Sequence, residues 1–175
     1  MKAAEKRAVY SRPINTLTDT EIVNVLGADN DKVAELIGEY VRRQAARIRP
    51  QTQIKSSTDA YQVMKDLFFN LPVEHFYIAT LSRSNKVINI HKVSEGGVSG
   101  TVVDPKVIFK ACIQDSASGL IMAHNHPSGN LKPSEADIHI TRKIRDGAKL
   151  LEIQLLDHVI VSGTGFYSFA DEIGV

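Results

Sequence analysis

The chain has 175 residues, 43% hydrophobic and 23% charged, enough for one core-forming domain with an appendage. Its 21 Lys and Arg nearly cancel its 20 Asp and Glu, which excludes nucleic-acid binding through bulk positive charge and leaves only a local basic patch. A single cysteine, Cys112, excludes an internal disulfide framework and fits a reducing compartment; a small buried apolar role suits it better than a nucleophile.

Met1 to Arg7 have no apolar stretch behind them, and no run elsewhere reaches membrane-spanning length, so a cytoplasmic protein without membrane contact is expected. Thr18-Asp19-Thr20-Glu21 predicts a capping box, and Gly27 would end that short helix. A second helix is expected from about Asp31 to Ile48, where Val33, Leu36, Ile37, Tyr40, Val41 and Ile48 recur at three- and four-residue spacing. Pro50 and the polar stretch Gln51 to Ser57 make the best boundary, dividing a helical N-terminal segment, residues 1–50, from a second region, residues 51–175.

Ser57 or Thr58 should cap a helix carrying Tyr61, Met64, Leu67, Phe68 and Leu71 and stopped by Pro72. Strands Phe76 to Leu81 and Lys86 to Val93 follow, joined by the turn Ser82-Arg83-Ser84-Asn85. Gly96, Gly97 and Gly100 mark a loop before Thr101-Val102-Val103, and Asp104-Pro105 opens a helix ending near Gly119. Leu120 to Ala123 reads as a buried strand that delivers the chain to the histidines. After a polar loop, a helix from about Ser134 to Leu150 turns Ile138, Thr141, Ile144, Ala148 and Leu151 inward. Strands Ile153 to Leu156 and His158 to Val161, a Ser162-Gly163-Thr164-Gly165 turn and a short strand Phe166 to Ser168 complete the series. The alternation implies an α/β fold, a mixed β-sheet covered by helices.

The chemistry concentrates in His124-Asn125-His126-Pro127, followed by Ser134 and Asp137. Residues two apart in an extended chain project to one side, so His124 and His126 can share a metal ion while Asn125 faces away. Pro127 holds His126 extended. Asp137, in the first turn of its helix, is kept ionised by the helix dipole and can fold back over the strand end as a third ligand. Two imidazoles and a carboxylate leave one position of a tetrahedral zinc open, which suits a catalytic site rather than a structural one. Ser134 is the expected N-cap, accepting from the Asp137 amide; capping is the common use of serine there, and its hydroxyl proton would stay free for an oxyanion. For this composition, His-x-His-x7-Ser-x2-Asp arises by chance in roughly one chain in a thousand. The other histidines carry less: His139 is expected on the surface, His75 and His91 flank strands, and Asp157-His158 suits a satisfied structural histidine better than a support for the metal.

This pattern resembles the JAB/MPN domain, a zinc metallopeptidase family whose motif is a glutamate followed by His-x-His-x7-Ser-x2-Asp. More narrowly, Glu74-His75-Phe76, His124-Asn125-His126-Pro127-Ser128-Gly129, Pro133-Ser134-Glu135-Ala136-Asp137 and Leu156-Asp157-His158-Val159-Ile160-Val161 look like the RadC branch, over about residues 51 to 175. The resemblance implies a cytidine-deaminase-like fold, zinc held by His124, His126 and Asp137, and an upstream glutamate as general base. Glu74 and Glu95 compete for that role. A base must sit on a rigid element within reach of the open position, which favours Glu74, at a strand start and at the family's position, over Glu95 beside Gly96-Gly97. Asn125 is the RadC-type residue where many JAB proteins have Ser or Thr.

Leu17 to Val23 resembles the start of a helix-hairpin-helix segment, shortened here and without the Gly-x-Gly that would meet DNA phosphates. The expectation is therefore a zinc metallopeptidase that hydrolyses a peptide or isopeptide bond in a peptide or protein substrate. The alternative is a DNA-associated protein with a non-peptidase role in repair, touching nucleic acid through Arg42, Arg43, Arg47 and Arg49; the same arginines would also complement a helix C-terminus. An HNH nuclease, suggested by the letters of His124-Asn125-His126, is set aside because that fold spreads its residues over a ββα unit.

Overall fold

The computed structural model describes residues 52–69, 71–96 and 103–174. The two N-terminal helices, the boundary at residue 50, the arginines at 42, 43, 47 and 49, and the loop residues 97–102 lie outside the described residues.

Helix α1, Ser57–Met64, is capped by Ser56, whose side chain accepts from the Asp59 amide, so the cap is one residue earlier than the expected Ser57 or Thr58. It tightens into a 3₁₀ turn over Lys65–Phe68 and does not reach Leu71. Pro72 holds Leu71 out of the helical region, and the chain unwinds before it. Strand β1, His75–Leu81, is buried along its whole length, and β2, Val87–Glu95, pairs with it antiparallel.

Helix α2, Pro105–Gln114, has Asp104 as its cap, accepting from the Lys106 amide. It ends before Gly119, which instead opens strand β3, Gly119–Asn125. A side chain at Gly119 would meet Leu156 Cδ1 at 2.8 Å and Leu81 Cβ at 3.3 Å, so this glycine serves close packing and not helix termination. Strand β3 continues past Ala123 through His124 and Asn125.

Helix α3, Glu135–Leu150, buries Thr141, Ile144 and Ala148, whereas Leu151, expected to face inward, is 43% exposed. The helix ends in a Schellman motif: Ile153 N donates to Ala148 O at 2.9 Å and Glu152 N to Lys149 O at 3.2 Å, with Glu152 at φ 57°. Strand β4, Gln154–Ser162, is continuous where two strands were expected. Strand β5, Gly165–Ser168, leads into a short helix α4, Phe169–Ile173, which the hydrophobic pattern did not announce.

The sheet order is β2-β1-β3-β4-β5, with β3 and β4 parallel and every other pairing antiparallel. It is the mixed α/β sheet expected, with helices on both faces. Tyr77, Ala79, Ile121, Ala123 and Val159 pack with α1 on one face; Phe76, Ile78, Leu120 and Met122 pack with Ile108 and Cys112 of α2 and Ile144 and Ala148 of α3 on the other.

One irregularity decides how the last long strand is used. Leu120 pairs with Leu155 but Ile121 pairs with Asp157, so Leu156 is an extra residue, a bulge in β4. Side chains alternate strictly along a strand, and one inserted residue exchanges the faces of everything after it. Beyond the bulge, His158 therefore lies opposite Met122 on the α3 face, and Asp157 turns to the other.

Candidate metal centre

His124, His126 and Asp137 come together where the end of β3 meets the start of α3. Their ligand atoms all lie within 4.8 Å of one another. His124 Nε2 is 3.0 Å from His126 Nε2 and 3.2 Å from Asp137 Oδ1, and His126 Nε2 is 3.5 Å from Asp137 Oδ2. The edges of a tetrahedron with zinc–nitrogen and zinc–oxygen bonds near 2.0–2.1 Å are about 3.3 Å; the two ring nitrogens lie close to that spacing from each other, and each lies close to it from one of the two Asp137 oxygens, a donor set that could hold a metal ion. A fourth corner is left for another ligand.

Both imidazoles are held in the form a metal needs, with the proton on Nδ1 and the lone pair on Nε2. His126 Nδ1 meets the Asn130 carbonyl at 2.6 Å, an oxygen that can only accept. A turn between them, in which the Gly129 amide donates to the His126 carbonyl at 2.9 Å with Gly129 at φ 78°, brings Asn130 into place. For His124 the partner is another histidine: Nδ1 lies 2.8 Å from His158 Nε2. His158 Nδ1 lies 2.6 Å from Thr141 Oγ1, and Thr141 Oγ1 donates to the Asp137 carbonyl at 2.6 Å. Since the last acceptor is a carbonyl, one direction satisfies the whole chain. Thr141 donates to Asp137, His158 to Thr141, and His124 to His158, leaving His124 Nε2 bare toward the metal position.

Burial keeps the ring at the middle of this chain neutral. His158 is fully buried, and desolvation, reinforced by the neighbouring His124, drives its pKa well below the ordinary imidazole value. Its ring stacks on Phe169 of α4 at 4.7 Å, which gives that unannounced helix a place in the site. Burial alone would raise the Asp137 carboxyl, but hydrogen bonds from His124 and His126 when their Nε2 atoms carry protons, the charge His124 then holds and the Ser134 hydroxyl keep it far below the usual carboxylate range. His126 is shifted upward, chiefly by its contact with Asp137.

Ser134 caps α3 as expected, its Oγ accepting from the Asp137 amide at 3.2 Å. Its proton, expected to be free, has a partner in this structure: Oγ donates to Asp137 Oδ2 at 2.6 Å, and the Ser134 amide donates to the same oxygen at 2.8 Å. The capping box thus aims the Asp137 carboxylate at the two histidines.

Glu74 lines a cavity of about 200 Å³ with His124, Asp137, Phe76, Val103, Ala136 and Ile140. Its negative charge is felt at His126, whose protonated form it favours. Glu95, the competing glutamate, ends β2 opposite His75, with a half-exposed side chain paired to Lys92 and 3.8 Å from the His75 ring. A larger cavity of about 470 Å³ opens on the other side of His126, walled by Tyr61, Phe68, Leu71 and Pro127.

The remaining histidines divide. His139 is exposed; His91 pairs with Asp115 at 2.6 Å, well away from the triad in the fold, where Thr80 and Asn89 also donate to Asp115. Cys112 is buried, and burial pushes its thiol up to about 11, as suits a core residue. Sequence reasoning had favoured a purely structural role for His158 and gave Thr141 none beyond packing. The signal for both was the Asp157-His158 pair, obscured because the bulge at Leu156 breaks the alternation by which a face is read.

Comparison with known proteins agrees with this geometry. The sequence profile of the family described as "RadC-like JAB domain" matches residues 54–175. Among curated proteins, a "UPF0758 protein" of Flavobacterium johnsoniae is 40% identical over 156 residues, covering 87% of this chain and 68% of that protein. A "UPF0758 protein" of Porphyromonas gingivalis is 38% identical over 136 residues, covering 77% and 60%. One from Methanosarcina mazei is 33% identical over 156 residues, covering 87% and 68%. The chain thus spans about three fifths to two thirds of the relatives it matches.

Proposed function

This chain belongs to the RadC-like JAB domain family, and from that premise we propose that it is a zinc-dependent hydrolase of peptide or isopeptide bonds in a peptide or protein substrate. The observation that carries the reading is the convergence of His124, His126 and Asp137, whose ligand atoms lie within 4.8 Å of one another, beside a glutamate on the wall of the cavity they share.

His124, His126 and Asp137 would hold the zinc ion, which would supply a Lewis acid for the scissile carbonyl and for water. Glu74 takes the proton of the attacking water and passes it to the leaving amine, the two halves of general acid–base catalysis by one carboxyl. Ser134 has two duties in this reading. It orients Asp137 through the capping box, and its hydroxyl is the donor for the developing oxyanion when it turns from Asp137 Oδ2. Phe76, Val103 and Ile140 give the cavity beside Glu74 an apolar wall against which a substrate side chain can rest.

The test pairs zinc quantitation with cleavage of a peptide library. Wild type and Glu74→Gln should each hold one zinc per chain, while Glu74→Gln loses cleavage by about 100-fold or more. His126→Ala should lose the zinc. A wild-type protein that binds no zinc, or cleavage that survives Glu74→Gln, would refute the reading.

A further inference from the structure

We infer that Asn125, the residue between the two histidine ligands, is a positioning residue for Glu74, an inference that rests on the reading of Glu74 as the base. Alternation sends the Asn125 side chain to the face of β3 opposite His124, toward the start of β1. There its amide makes two hydrogen bonds: Oδ1 accepts from the His75 amide at 2.8 Å, and Nδ2 donates to the Val73 carbonyl at 3.1 Å. These two groups are the immediate neighbours of Glu74 on either side. The Glu74 carbonyl is itself fixed, accepting from the Gly96 amide at 2.8 Å.

The backbone ladder between β1 and β3 ends at the pair Phe76 and His124. One residue further on, the Asn125 side chain takes over the work of the ladder and holds the 73–75 segment against β3. Asn125 is 5% exposed, so neither bond competes with bulk water. Only a primary amide of this length suits the place. It presents one donor and one acceptor side by side, matched to one carbonyl and one amide; a hydroxyl cannot span both, and a carboxylate would set an acceptor against the Val73 carbonyl. The His-Asn-His run therefore does two things at once. Its outer residues take the metal, and its middle residue ties the base to the same strand.

A displacement of the Glu74 main chain by about 1 Å is enough to cost about 100-fold in rate where geometry is preorganised. The effect is also visible without turnover, in the full chain loaded with cobalt, by following its visible absorption against pH. Wild type, Glu74→Gln, Asn125→Ala and the double variant should each bind one cobalt per chain. Removing the Glu74 charge should lower the pH midpoint of the absorption change by about one unit. Asn125→Ala should lower it in the same direction, and the double variant should go no lower than Glu74→Gln alone. If Asn125→Ala does not fold, Asn125→Ser carries the same test, since its hydroxyl fits the space but cannot hold both groups.

A wild-type midpoint in the Asn125 variants, with Glu74→Gln shifted, overturns the inference and leaves Glu74 as base. Shifts that add in the double variant, or loss of cobalt from the Asn125 variants, also overturn it, because Asn125 would then act on the ligands and not through Glu74. An unshifted Glu74→Gln removes Glu74 from the metal's surroundings and overturns the reading beneath the inference.

Discussion

A histidine binds zinc only through a ring nitrogen that carries no proton, and His124 meets that condition by directing its other ring proton inward. The sequence of acceptors His158, Thr141 and the Asp137 carbonyl sets the direction, so both ends of the chain lie on candidate metal ligands. Thr141→Val keeps the shape of the side chain but leaves the buried His158 Nδ1–H without an acceptor. Zinc affinity measured by calorimetry should fall about 10- to 100-fold, the usual effect of removing such a supporting partner. Ser134 separates capping from chemistry. Ser134→Ala should cost about 1 kcal/mol of stability and Ser134→Gly only a few tenths, since glycine is tolerated at an N-cap. Both should lose the same share of peptide cleavage if the hydroxyl acts on the oxyanion, whereas a loss that follows stability would mean that Ser134 only caps. At this scale the metal ligands were legible because their spacing is local, on one strand end and one helix turn. Asn125 and His158 were not, because their partners come from 50 and 34 residues away and nothing in a sequence states that pairing.

Elements were legible where a local rule governs them and obscure where packing does. Asp104-Pro105 and Ser134 start their helices as their chemistry requires. The end of α3 gave no such sign, because the slot that favours glycine is filled by Glu152 at φ 57°. Glu152→Gly should therefore raise stability by up to about 1 kcal/mol in urea unfolding, by removing the left-handed strain of a residue with a Cβ. Gly119 misled in the opposite sense: it reads as a helix stop, but its role is to let Leu156 and Leu81 approach β3. The link between α2 and the β1–β2 pair predicts an acid-sensitive element. Burial would raise the Asp115 carboxyl, but hydrogen bonds from Thr80, His91 and Asn89 prevail and lower it. A carboxylate with a depressed folded pKa contributes stability above the unfolded value near 3.9 and loses it as pH falls through the folded one. Asp115→Asn should destabilise at pH 6 and show a flatter stability curve than wild type below pH 4.

For the molecule as a whole, the proposed metal would link folding to the composition of the medium. Zinc that binds only the folded chain adds about 2.7 kcal/mol at 100 times its dissociation constant, so thermal unfolding should move up by roughly 5–10 °C with zinc and return with EDTA. His126→Ala should show no such shift. Among the described residues no helix is long and apolar enough to cross a membrane. The parallel pairing of β3 and β4 has a further consequence, in the order in which the chain is made. Glu74, His124, His126 and Asp137 all leave the ribosome before His158. Until β4 lies beside β3, the proton on His124 has no acceptor in the fold and its ring is free to present either nitrogen. An unfinished chain would thus carry every ligand and still scavenge zinc poorly. Under the proposed zinc reading, metal uptake would follow the pairing of β4 with β3.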